Sequence, residues 1–361
     1  MIRRSLLVCS LLAAALPALA ACGDDQPPKT AADPAVVTSM PPATVEPAKM
    51  AEAPPPPPSA DEMKKAQSSK ELEADRVKWS KDLDAMKARW TLEMHAEAKT
   101  LSDKAFPSAK VAINAAVAAK YRSPENAARD KYRHPAETLE FFGVKPTSKV
   151  VDIGPGEGWY TEILAPMLAK SGVYFATGSD PNGPAEARGT FYAQKFQGFL
   201  STSPEAYGKV KPIVVDGKAP ALSETVDFAL IFRGVHGMKN NGSLDAWLKT
   251  IHDHLAPNGV LGIEEHRAAP GANVDESAKQ GYMPERWVID TIEAAGFKLA
   301  GKSEVSANPK DTKDYAEGVW TLPPSLRLGE KDRAKYLAIG ESDRMTLKFT
   351  KKSAAARVTK K

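Results

Sequence analysis

An apolar strand that runs directly into glycines at alternate positions leaves a chain few folds to choose from. Residues 150–158, Val150-Val151-Asp152-Ile153-Gly154-Pro155-Gly156-Glu157-Gly158, are such a run. Val150, Val151 and Ile153 make a strand with no polar face apart from Asp152, the pattern of a parallel strand covered by helices on both sides. The glycines permit a tight turn and close backbone approach to a bound group. Residues 159–169 continue as a helix whose first amides are free to donate to that group. The spacing sorts nucleotide loops. A dinucleotide fingerprint places its third glycine at 159, where Trp159 stands, and a phosphate-binding loop requires Gly-Lys-Ser/Thr. Neither fits, so 150–164 is read as the nucleotide-cofactor site of a doubly wound α/β domain of another kind.

The surrounding chain supports that class. Apolar runs at 149–153, 172–177, 210–215, 226–232 and 259–265 alternate with amphipathic stretches, the signature of a mainly parallel sheet. Leu244, Trp247, Leu248, Ile251 and Leu255 share one helical face behind a candidate N-cap, Ser243, and Pro257-Asn258-Gly259 ends that helix. A further helix runs from Pro284 to Gly296. Residues 297–305 and 345–350 read as two more strands, paired as an antiparallel edge. No internal repeat is present.

Asp-x-Gly-x-Gly-x-Gly at 152–158 is where a family resemblance enters. Residues 115–352 resemble a class I S-adenosylmethionine-dependent methyltransferase domain of a bacterial predicted-methyltransferase group. The resemblance extends over Arg129-Asp130-Lys131-Tyr132-Arg133-His134-Pro135, Phe232-Arg233-Gly234-Val235-His236 and Glu265-His266-Arg267-Ala268-Ala269-Pro270-Gly271. It implies a Rossmann-like seven-stranded sheet of order 3-2-1-4-5-7-6 with strand 7 antiparallel. It also implies S-adenosylmethionine as cofactor, held by Asp152, Gly154, Gly156 and Gly158, with Asp216 on the adenine amino group. One position departs from the pattern. The second strand of such folds ends in an acid that clasps the ribose, but Gly178 occupies that slot and the next carboxylate is Asp180. A lost charge-assisted contact of this kind weakens binding by ~1.5–3 kcal/mol.

Methyl transfer asks a protein to position an acceptor and, where needed, remove its proton. Open α/β sheets bind ligands at the carboxyl ends of their strands, which here carry His236 after strand 4 and Glu265 and His266 at strand 5. These three are the candidate catalytic residues, as a general-base pair of His236 with Glu265 or His266. Arg233 and Tyr160 are candidate substrate contacts, with Arg233 suited to an anion. No His-x-x-x-His pair favours a metal, so none is expected.

The N-terminus has its own logic. Arg3 and Arg4 precede an apolar stretch, 6–19, that ends at Leu19-Ala20-Ala21-Cys22. This resembles a bacterial lipoprotein signal, which implies removal of residues 1–21, lipidation of Cys22 and export to the periplasm or envelope on a membrane anchor. The chain has 2 cysteines. With Cys9 lost and Cys22 lipidated, no thiol remains for disulfides, metal–thiolate sites or nucleophilic catalysis. Residues 22–58 form a Pro/Ala-rich linker, expected to be extended and disordered. Residues 59–104 form a helical extension, read as one helix over 61–101, whose Trp79, Leu83, Met86 and Trp90 make a stripe for packing on the domain at 105–352. The alternative is a short coiled coil with a second copy, against which two tryptophans in the seam argue. A basic tail, 353–361, closes the chain. The 49 basic and 45 acidic residues leave a net charge of +4 with no massed basic patch, so no nucleic-acid partner is expected.

Two functions follow from these features. One is a tethered S-adenosylmethionine-dependent methyltransferase acting on a small-molecule or envelope acceptor. The other is a methyltransferase-fold lipoprotein without catalysis, favoured by Gly178 and by export away from a cytoplasmic cofactor.

Overall fold

The computed structural model describes residues 60–352 except 216, 218, 220 and 221, with side chains from residue 67 onward. Cys22, the linker at 22–58, Asp216 and the tail at 353–361 lie outside the described residues.

β1 (Lys149–Ile153) has parallel partners on both sides, β2 (Val173–Gly178) and β4 (Val226–Phe232). β3 (Lys211–Val214) extends the sheet beyond β2, and β5 (Leu255–His266) extends it beyond β4. β7 (Arg344–Lys351) runs antiparallel between β5 and β6 (Phe297–Ser303). The seven strands therefore stand in the order 3-2-1-4-5-7-6, as the resemblance implied. Successive residues of a strand point to opposite faces, and the sheet accordingly has two cores. Val150, Leu230 and Phe232 pack on one side with the helices Ala109–Val117, Pro135–Phe142 and Thr161–Leu168. Val151, Ala229, Ile231 and Leu261 pack on the other with Leu244–His254 and Glu285–Ala294.

Three local expectations change. The helical extension is two helices, α1 (Ala60–Arg89) and α2 (Leu92–Asp103). Thr91 is extended and its Oγ1 accepts the Met94 amide at 3.2 Å, starting a new helix without help from Pro or Gly. The break turns Trp90 onto Tyr121, stacked at 5.5 Å, and edge-on to Tyr207. β5 begins at Leu255 rather than 259, because Leu255 already pairs with Val226 before the register shifts at Phe228. Ser243 holds the N-cap position of its helix, but its hydroxyl is buried with no hydrogen bond among the described residues.

Candidate active site

The carboxyl end of β1 delivers Asp152 into the interior, where it is almost fully buried. Tyr174 from β2 donates to its Oδ2 at 2.8 Å and lies 3.0 Å from Thr161 Oγ1, while Oδ1 is buried with no partner among the described residues. Burial raises the Asp152 carboxyl to about 7, against the Tyr174 hydrogen bond and the charge of Arg233. A donor or cation reaching Oδ1 therefore gains a strong acceptor.

The loop after Asp152 divides its glycines between two tasks. Gly154 and Gly156 have φ of +73° and +60°, and a Cβ at either would meet only open space. They leave a bare backbone cradle. The Gly154 amide donates to Thr177 Oγ1 at 3.1 Å, which ties the cradle to β2. Gly158 differs, since its Cβ would stand 2.5 Å from the Phe199 ring. It lines neither of the cavities beside the loop, so its glycine is needed for helix packing and not for ligand contact.

Two basins flank the cradle and share Gly154, Pro155, Gly156, Glu157 and Lys195 as a common wall. The first, about 600 Å³, lies over the ends of β2 and β3, with Gly178, Ser179, Asp180, Tyr192 and Ile213 around it. Among the described residues nothing lies within 4 Å of a Cβ added at Gly178, so the expected ribose-acid position is not filled by any of them. Asp180 borders the same basin, and its Oδ1 accepts the Asn182 amide at 2.8 Å in a local turn.

The second basin, about 780 Å³, lies over the ends of β1 and β4. Its floor carries Asp152, Tyr160, Phe232 and Arg233, and its roof comes from Trp79, Met86 and Trp90 of the helical extension. Tyr160 stacks on Phe232 with ring centres 3.6 Å apart, and its hydroxyl is 3.4 Å from Glu264 Oε2. Arg233 adopts φ of +56°, an unusual conformation for a side chain this large. Its amide donates to the Glu264 carbonyl at 2.6 Å and its Nη1 lies 3.3 Å from Glu264 Oε1.

His236, Glu265 and His266 stand behind this floor and line neither basin. Glu265 Oε2 accepts the Val235 amide at 2.6 Å, and Oε1 lies 3.0 Å from His236 Nδ1 and 2.8 Å from the His266 amide. The carboxylate is thus occupied in bracing the turn after β4. Burial opposes the charged form of His236, but Glu265 outweighs it and raises that imidazole above its usual value. Burial, joined by the positive charges of His236 and Arg344, holds His266 well below the usual range, and its Nδ1 meets Ser342 Oγ at 2.5 Å. The two rings are 5.8 Å apart, one favouring the proton and the other refusing it.

The expected residues omitted Arg129, Arg133, Glu341 and Arg344, which form the electrostatic frame of the second basin. Arg129 Nε, Arg133 Nε and Arg344 Nη1 converge on Glu341 at 2.6, 2.9 and 2.7 Å. Arg344 Nε also lies 3.0 Å from Glu264. Although burial disfavours the charged form of Glu341, the three guanidiniums prevail and lower it to about 2. Arg129 and Arg133 fall within the segment quoted for the resemblance. Nothing local in the sequence points to Glu341 as their partner.

Residues 126–295 match a family model described as a methyltransferase domain. That segment includes β1 to β5 and the glycine loop. No curated protein matches the chain. Among solved structures it is similar to the glycopeptide N-methyltransferase MtfA, at 13% identity and a TM-score of 0.41, covering 64% of this chain and 99% of that one. It is also similar to a SAM-dependent methyltransferase from Aquifex aeolicus, at 21% identity and a TM-score of 0.38, covering 50% of this chain and 89% of that one. The mitomycin 7-O-methyltransferase MmcR gives 12% identity and a TM-score of 0.37, with 64% and 59% covered. The matched segment ends before β6, so α1, α2, β6 and β7 lie outside it.

Proposed function

We propose that the chain is an S-adenosylmethionine-dependent methyltransferase acting on a small-molecule or envelope acceptor. The observation that carries this reading is the bare cradle of Gly154 and Gly156 at the wall common to two basins. A ligand with a nucleoside at one end and an amino acid at the other can lie across that wall with each end in its own basin. Asp152, with its unpartnered Oδ1, suits the ammonium of the amino-acid end. Asp180 replaces the missing acid at 178 as the ribose contact. Asp216, which lies outside the described residues, takes the adenine amino group. When bound, the cofactor supplies an electrophilic methyl group. The protein's own contribution is to hold the acceptor against Tyr160, Phe232 and Arg233 and to exclude water beneath Trp79 and Trp90. His236, Glu265 and His266 support the floor from behind, with His236 placed to hold a proton.

Calorimetric titration of the full-length chain with S-adenosylhomocysteine tests this reading. Micromolar binding, weakened at least tenfold by Asp152→Ala, is the expected result. No heat at millimolar ligand would remove the enzyme reading and leave a methyltransferase fold without catalysis.

The same proposal places the enzyme in the cell envelope, tethered by a lipid at Cys22. Among the described residues no helix is long and apolar enough to cross a membrane. Incorporation of labelled palmitate in a bacterial host, abolished by Cys22→Ala, is the expected outcome. Labelling that persists in the variant refutes the tether.

A further inference from the structure

We infer that the acceptor is an acid: an anionic group on an apolar, ring-bearing body, with the anion received by Arg129, Arg133 and Arg233. The inference rests on the methyltransferase reading only in naming this ligand the methyl acceptor, since the basin's chemistry selects an anion in either case.

The frame beneath the second basin holds four guanidiniums, those of Arg129, Arg133, Arg233 and Arg344, over two buried carboxylates, Glu264 and Glu341. Three of the four arginines border the basin. Their bonds to the carboxylates leave donors unspent. Among the described residues Arg129 Nη2 is buried without a hydrogen-bond partner, and Arg133, 5% exposed, forms its hydrogen bond to Glu341 through Nε alone. A buried guanidinium with idle donors is costly unless a ligand completes it. Burial accordingly pulls both Arg129 and Arg133 below the usual guanidinium range.

Other carboxylates around the basin are committed or distant. Glu157 pairs with Lys195, and Glu162 lies 3.6 Å from Arg122. Asp82 and Glu125 are exposed at the rim. Asp152 is the nearest competitor, and burial keeps it partly protonated near neutral pH. The cofactor proposed above brings no net negative charge to the frame. Its ammonium and sulfonium bring two positive charges against one carboxylate, so binding it increases the positive excess. The remaining walls fix the rest of the ligand. Tyr160 on Phe232, Trp159 beneath Arg133 and Trp90 in the roof offer ring faces and few donors.

A carboxylate could come from the cofactor's amino-acid end or from the acceptor, and the test separates the two. Tryptophan fluorescence of the full-length chain would be titrated with 4-hydroxybenzoate, indole-3-acetate and octanoate, each against its neutral amide. Each titration would be run with and without S-adenosylhomocysteine. The expected result is that at least one ring-bearing acid binds ten or more times more tightly than its amide. Arg129→Gln and Arg133→Gln should remove that preference, with circular dichroism confirming that both variants fold. Arg129→Lys, which keeps the charge, should restore part of it. If every acid binds no better than its amide, or if octanoate alone does, the inference fails. It also fails if the arginine variants weaken S-adenosylhomocysteine tenfold while the acid preference survives, because the arginines then serve the cofactor's carboxylate. Acid preference in a chain that does not bind S-adenosylhomocysteine would overturn the methyltransferase reading and leave the acid-binding basin standing.

Discussion

Gly154 and Gly158 belong to one motif and share a positive φ, yet different pressures keep them glycine. At Gly158 a methyl group would enter the Phe199 ring at 2.5 Å, and overpacking of this kind costs ~1–3 kcal/mol. At Gly154 the space is open and the cost is backbone strain of ~1–2 kcal/mol together with a methyl group on the cradle. Gly158→Ala should therefore lower the melting temperature by several degrees, with part of the loss recovered by Phe199→Leu. Gly154→Ala should weaken S-adenosylhomocysteine at least tenfold with a smaller thermal effect. Calorimetry on both variants compares the two ratios, and equal ratios would refute the division of labour.

Asp152 gives a prediction with a sign. Its carboxyl ionises near 7 in the fold and near 3.8 in the unfolded chain. The folded state keeps its proton over that interval while the unfolded state loses it, so stability attributable to Asp152 falls as pH rises from about 4 to 7. Asp152→Asn removes the titration. The melting temperature of this variant relative to the parent should increase across that window and level off above it, as read by thermal scans at fixed ionic strength.

At the scale of elements, α1 determines what the second basin can admit. Arg76 reaches Gln194 and the Ala185 carbonyl at 2.8 and 2.7 Å, and Asp75 pairs with Arg188. These contacts lay α1 along the helix Arg188–Leu200, where Gly198 lets Trp79 and Leu83 approach within 3.2 Å of its missing Cβ. Gly198→Val should lift α1 from this seat. Faster tryptic cleavage within 60–89 is expected, together with faster acid dissociation from the basin and little change in the sheet's melting temperature.

The elements show clearly what a sequence discloses. β1 and β4 were legible to the residue because buried parallel strands are nearly all apolar. The break at Thr91 was not, because it depends on where the Trp90 ring finds Tyr121. His236 and Glu265 were legible as a pair, 3.0 Å apart. Their setting behind the floor was not, since it follows from backbone amides capturing the carboxylate.

Across the whole molecule, the charge frame joins the two ends of the domain. Arg129 meets Glu341 over a separation of 212 residues, a pairing no local pattern could announce. Removing one member of a buried charge cluster strands the others, typically for ~3–5 kcal/mol. Glu341→Gln should therefore destabilise the protein on that scale in urea unfolding at neutral pH. Because Glu341 ionises near 2 in the fold and near 4.5 when unfolded, its contribution is complete above about 4.5 and is lost as pH falls toward 2. The variant's deficit should shrink over that acid range. A deficit unchanged between pH 7 and 3 would show that the frame does not act through charge.

The wall that the two basins share also has a thermodynamic meaning. Glu157 and Lys195 pair at that wall and line both cavities, so a ligand that moves the pair from one side should alter affinity on the other. Reciprocity then binds the two ligands to a single number. Whatever factor a filled first basin imposes on affinity in the second, a filled second basin must impose on the first.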